Sequence, residues 1–108
     1  MRIALVGGVE RTENAYRDIA EAAGHDLVFH GGHVAGRGAA NLIDLARRVD
    51  FMIILTDVNS HGAVQLARRS ARKHGVPCAL HRRCSPARFA QVLAELNGPR
   101  TQEASAQI

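Results

Sequence analysis

Residues 50–57 read DFMIILTD, an apolar run from Phe51 to Leu55 held between two aspartates. A strand with one wet face alternates apolar and polar side chains, whereas this run is apolar at every position. That is the pattern of a strand in the middle of a parallel sheet, covered by helices on both faces. The rest of the chain supplies such a sheet. Ile3 to Val6 is a second short apolar run, ending in Gly7-Gly8; DLVFH at 26–30 is another, ending in Gly31-Gly32; Pro77 to Leu80 is the last.

Helical periods fill the gaps. Thr12 is placed to cap a helix running to Ala23, with Tyr16, Ile19, Ala20 and Ala23 on one face and Gly24 closing it. A loop through Gly38 leads to a helix from about Ala39 to Val49, with Leu42, Ile43, Leu45 and Ala46 inward. A third helix spans Ser60 to His74 and stops at Gly75. Ser85-Pro86 then offers a capping residue followed by proline at the first helical position. Phe89, Val92, Leu93 and Leu96 follow at i, i+3, i+4 and i+7, and Asn97-Gly98-Pro99 ends the helix. The expected organisation is a Rossmann-like ligand-binding domain over 1–97 and a disordered polar tail over 98–108.

Alternating strand and helix imply a small α/β fold with parallel strands, right-handed crossovers and strand order 2-1-3-4, flavodoxin-like or Rossmann-like. Ligands in such sheets bind beyond the carboxyl ends of the strands where the order reverses, here between the first and third. The loops that gather on that edge are Gly7 to Asn14, His30 to Arg37, Asp57 to His61 and His81 to Ser85.

Composition narrows the function. At 108 residues and 46% apolar content the chain is one globular domain. Its longest apolar run falls far short of the roughly 20 residues a membrane span requires. The opening MRIALVGG is too short in apolar residues for a secretory signal. Cys78 and Cys84 fit reduced thiols, Cys78 as a buried and inert one, and the expected location is cytoplasmic. The net charge of +4 invites a nucleic-acid reading, but one Tyr and three Phe offer no stacking platform among the arginines. Nucleic acid is therefore not the expected partner. A small core favours a homodimer that shields the site, although the domain can also act alone.

The chemistry concentrates in a few residues. Gly7-Gly8 and Gly31-Gly32 suit tight turns, and without G-x-G-x-x-G they do not form a dinucleotide fingerprint. Ser60 is placed as a helix cap, and Asp57 as a strand-end acid. His61 stands in the first helical turn, where the dipole favours a neutral ring, the form that ligates a metal or haem iron. His30, His33 and His81 belong to loops on the same edge. Arg82 and Arg83 follow His81 and can neutralise an anion.

Several of these residues carry a resemblance. Gly7-Gly8 after a strand, His30-Gly31-Gly32, Thr56-Asp57-x-x-Ser60-His61 and Gly75-x-Pro77 resemble the bacterial family catalogued as domain of unknown function 2325, over about residues 2–96. The T-D-x-x-S-H block is the most specific part. The resemblance implies a small Rossmann-like domain and, by match, singles out Asp57, Ser60 and His61, while saying little about activity.

The expected function is a binding or sensing module that holds a divalent metal ion or haem through His61, aided by His30, His33 or His81, with Arg82 or Arg83 pairing an anionic group. The alternative is a phosphate or nucleotide binder in which backbone amides at the Ser60 helix start and at Gly7 and Gly8 cradle the anion while Arg82 and Arg83 neutralise it. An enzyme using Asp57 and His61 as acid and base, or Cys84 as nucleophile, ranks lower, because no ordered triad supports it. What remains is a pure interaction or receiver-like role, the latter lacking paired acids, since Glu10 alone follows the first glycines closely.

Overall fold

The computed structural model describes residues 1–7, 12–32, 36–56 and 61–97, and for His61 and Asn97 the backbone alone. The expectations for Gly8, His33, Asp57, Ser60 and the tail at 98–108 lie outside the described residues.

Among the described residues eight elements alternate: β1 (Arg2–Val6), α1 (Glu13–Ala22), β2 (Asp26–His30), α2 (Gly38–Arg47), β3 (Phe51–Leu55), α3 (His61–Lys73), β4 (Cys78–His81) and α4 (Pro86–Asn97). The strands form one parallel sheet in the order β2-β1-β3-β4. Val6 lies beside both His30 and Ile54, and Leu55 lies beside His81. No helix among the described residues is long and apolar enough to cross a membrane.

Alternate side chains of a strand point to opposite faces, so a strand buried on both must be apolar throughout. Ile3 and Leu5 of β1 and Ile53 and Leu55 of β3 join Tyr16, Ala20, Phe89 and Leu93 beneath α1 and α4. Ala4, Val6, Met52 and Ile54 meet Leu42, Leu45, Ala46, Ala67 and Ala71 beneath α2 and α3. This double burial is why residues 51–55 carry no polar side chain.

Local chemistry sets the element ends. The Arg88 amide donates to Ser85 Oγ at 3.1 Å and the Phe89 amide to the Ser85 carbonyl at 2.8 Å, so Ser85 caps α4 with Pro86 in its first turn. Thr12 precedes α1 as expected but makes no side-chain capping bond. Gly7 and Gly32 take φ of 92° and 88°, a left-handed conformation that costs any residue with a Cβ roughly 1–2 kcal/mol.

Two packing expectations are corrected. Ile43 is 42% exposed rather than inward, because the buried stripe of α2 follows Leu42, Leu45, Ala46 and Val49, and Ile43 stands about 100° further round the helix. Cys78 is exposed rather than buried. By register Cys78 and Leu80 share the face of Met52 and Ile54, yet both are open to solvent. The covering helices do not reach across to β4, an edge strand.

Candidate functional site

The carboxyl edge is organised by what the chain does just past the last ladder pairs. Between β1 and β3 the pairing runs to Val6 and Ile54. Beyond it the Gly7 amide donates to the His30 carbonyl at 2.7 Å, toward β2, and the Thr56 amide donates to the His81 carbonyl at 2.8 Å, toward β4. Both bonds continue the alternation along the strands, in which Met1 bonds β2 and Met52 bonds β4, so the sheet stays paired to its carboxyl edge. The strand order reverses between β1 and β3, the point at which ligands bind in sheets of this kind. The α3 helix begins at His61, and its first N–H groups have no partner within the helix and carry the positive end of its dipole.

His30 has a definite structural task. It is 8% exposed, its Nδ1 accepts the Gly32 amide at 3.0 Å, and its Nε2 donates to the Gly38 carbonyl at 3.0 Å. An amide can only donate and a carbonyl only accept, so these partners select the neutral tautomer with its proton on Nε2. The ring therefore ties the end of β2, through the Gly31-Gly32 turn, to the first turn of α2. In this arrangement neither ring nitrogen presents a lone pair to a metal.

The loop after β4 is anchored from below. Tyr16 Oη donates to the Cys84 carbonyl at 2.5 Å, and the Tyr16 ring meets Phe89 edge-on, with centroids 5.2 Å apart. Cys84 is buried in the same cluster, while Arg82 and Arg83 just before it are exposed. The arginines are thus presented by a loop whose far end is held in the core. Tyr16 looks like a plain core residue in sequence; its bond to a carbonyl 68 positions away is invisible there.

Burial pushes the Cys84 thiol above its ordinary value of 9.0, with Arg88 partly offsetting the rise. A nucleophile needs the thiolate, so the residue is set up as core and not for attack. Burial, and secondarily Cys84, likewise raises the Tyr16 phenol above 10.0, against a lowering hydrogen bond with Thr12. Both groups hold their protons more tightly when folded. Their contribution to stability is complete below the unfolded values and is lost as pH rises through them. The thermal midpoint is expected to fall from about pH 9 upward, with a shallower decline in Cys84→Ala and Tyr16→Phe, as differential scanning fluorimetry across pH would record.

The structure therefore brings Gly7 beside His30, and His81 beside the strand whose loop leads to His61. His81 is half-buried at the end of β4. Among the described residues no three His, Cys, Asp or Glu side chains are grouped to hold a metal ion. A hollow of about 390 Å³ opens at the opposite edge, lined in part by Arg2, Arg17 and Arg48. Two of its cations are engaged within the protein, Arg17 with Glu13 and the Leu27 carbonyl and Arg48 with Asp44.

The model of the family described as uncharacterized protein conserved in bacteria (DUF2325) matches residues 2–96. Among solved structures the chain is similar to a de novo designed Rossmann fold protein, with a TM-score of 0.53 at 14% identity, covering 86% of this chain and 93% of the design. At that identity the likeness speaks to the fold alone. No curated protein matches the sequence.

Proposed function

The chain belongs to the bacterial family of uncharacterized proteins DUF2325, and from that premise we propose that it is a small binding or sensing module for a phosphate-bearing ligand. The observation that carries this reading is the strand order β2-β1-β3-β4, which reverses between β1 and β3 and puts the switch point at the carboxyl ends of these two strands. The start of α3 lies on that edge, where backbone amides and the helix dipole favour an anion. Arg82 and Arg83 stand on the adjoining loop and supply the charge-assisted donors.

The test is a calorimetric titration with pyrophosphate, AMP and ATP. A charge-assisted hydrogen bond is worth about 1.5–3 kcal/mol, so Arg82→Ala or Arg83→Ala is expected to weaken binding roughly 10- to 150-fold. The fold is expected to be kept, since both side chains are exposed. Micromolar or tighter binding in the wild type that neither substitution weakens would sink the assignment of these residues, and no binding of any of the three compounds would sink the reading.

A second reading has its own support. His81 pairs with Leu55 of β3 and its carbonyl holds Thr56, so its imidazole rides on the strand adjoining the segment that leads to His61. His61 and His81, with His33, would hold a metal ion or haem iron, and Arg82 and Arg83 would pair its propionates. His30 joins such a set only by releasing Gly32 or Gly38. A Soret band on adding haemin, lost in His61→Ala, is the expected sign; an unchanged spectrum counts against it. Either reading takes the chain as cytoplasmic, consistent with two free cysteines, and as able to dimerise.

A further inference from the structure

The side of the molecule formed by α2 and α3 carries an imbalance that the proposed ligand site does not use. The α3 sequence, HGAVQLARRSARK, contains Arg68, Arg69, Arg72 and Lys73 and no acid. All four cations are exposed. Other arginines have local acids or amides: Arg17 pairs with Glu13, Arg47 and Arg48 pair with Asp44, and Arg88 of α4 donates to Gln91. Among the described residues no acid pairs with the four cations of α3.

Three of these cations border an apolar floor. Ile43, exposed on α2, and Leu66 of α3 line a shallow hollow of about 410 Å³ whose other walls are Arg69, Ser70, Arg72 and Lys73. Among the described residues few large aliphatic side chains are exposed, and one of them, Ile43, lines a hollow with Arg69, Arg72 and Lys73. An apolar centre with a charged rim is the anatomy of a protein-recognition surface.

We propose that the α2–α3 face docks an acidic protein segment that carries an aliphatic anchor residue. The charge selects an acidic occupant. The floor distinguishes a protein from a nucleic acid, because a phosphate backbone has nothing to fill an aliphatic hollow. Base stacking is not available here either: Tyr16, Phe29, Phe51 and Phe89 all pack in the cluster beneath α1 and α4, on the other side of the sheet. The aliphatic anchor fills the hollow between Ile43 and Leu66, and flanking carboxylates pair with Arg69, Arg72 and Lys73.

The experiment uses fluorescence anisotropy with a labelled synthetic peptide, rich in glutamate and bearing leucines one helical turn apart. Its controls are the same peptide with the leucines replaced by glycine and a labelled DNA duplex. The leucine peptide is expected to bind best, to weaken as salt is raised, to lose about tenfold or more in affinity with Arg69→Glu/Arg72→Glu, and to lose several-fold with Ile43→Asn. Circular dichroism of both variants checks that these surface changes keep the fold. Absence of binding, or equal binding of the glycine peptide or the duplex with no effect of Ile43→Asn, overturns the proposal. Since Arg82 and Arg83 take no part, that result leaves the phosphate reading standing or falling on its own titration.

Discussion

Phe89→Ala is expected to lower the unfolding free energy by about 3–5 kcal/mol, the range for removing a large aromatic from a closed core. Phe89 is fully buried, packs with Leu93 and Val92 in the cluster that joins α4 to α1 and the sheet, and takes the edge of Tyr16. Its loss leaves a cavity at the junction where α4 holds to the rest of the molecule, and little in an already close-packed neighbourhood can collapse into it. A domain of this size has roughly 5–15 kcal/mol in all, so the variant approaches the limit of folding. Urea denaturation followed by circular dichroism checks the value, with an unchanged slope showing that stability and not compactness has moved. A second effect is expected with it: the loop bearing Arg82 and Arg83 loosens, because Tyr16 reaches the Cys84 carbonyl from beside the Phe89 ring.

His30→Leu comes next, at about 2–4 kcal/mol. The substitution keeps an apolar body but strands the Gly32 amide and the Gly38 carbonyl, both formerly bonded to the imidazole in a buried setting. An unmet buried polar group costs about 1–3 kcal/mol, and two are left, with some relief from water at the turn. The same variant separates two roles. As a clasp, His30 stabilises the protein whether or not metal is present, and the deficit is unaffected by chelator or added zinc. As a metal ligand, it would confer a stability difference that appears only with the metal. Thermal unfolding of wild type and variant, with chelator and with zinc, distinguishes these outcomes.

Much of the fold was legible in the residues because burial on two faces leaves an unmistakable mark. The all-apolar run at 51–55, glycines closing β1 and β2, and the strand-helix alternation specify the parallel sheet and its order, as found. The start of α4 followed from its cap, Ser85-Pro86, whereas Thr12 precedes α1 without a side-chain capping bond. What went astray depends on which helix covers which strand. Ile43 sits one position off the buried stripe, and Cys78 lies on an edge strand past the reach of the covering helices. Neither can be settled by periodicity along one segment. The edge on which the proposed site lies is the one that the topology singles out. The role of His30 did not, since its bonds need the left-handed turn at Gly32 to bring an amide back to the ring. In sequence it is one more histidine near glycines, and four histidines on one rim suggested a metal more strongly than a clasp.

The claim that most needs testing is that the switch point between β1 and β3 takes an anion. Amide chemical-shift mapping by NMR during a pyrophosphate titration addresses it directly. The account predicts saturable shifts clustered at Gly7, Gly32, Thr56, the first turn of α3 and Arg82-Arg83, absent in the Arg82→Ala/Arg83→Ala protein. Shifts confined to the Arg68 to Lys73 end of α3, or none at all, would contradict it.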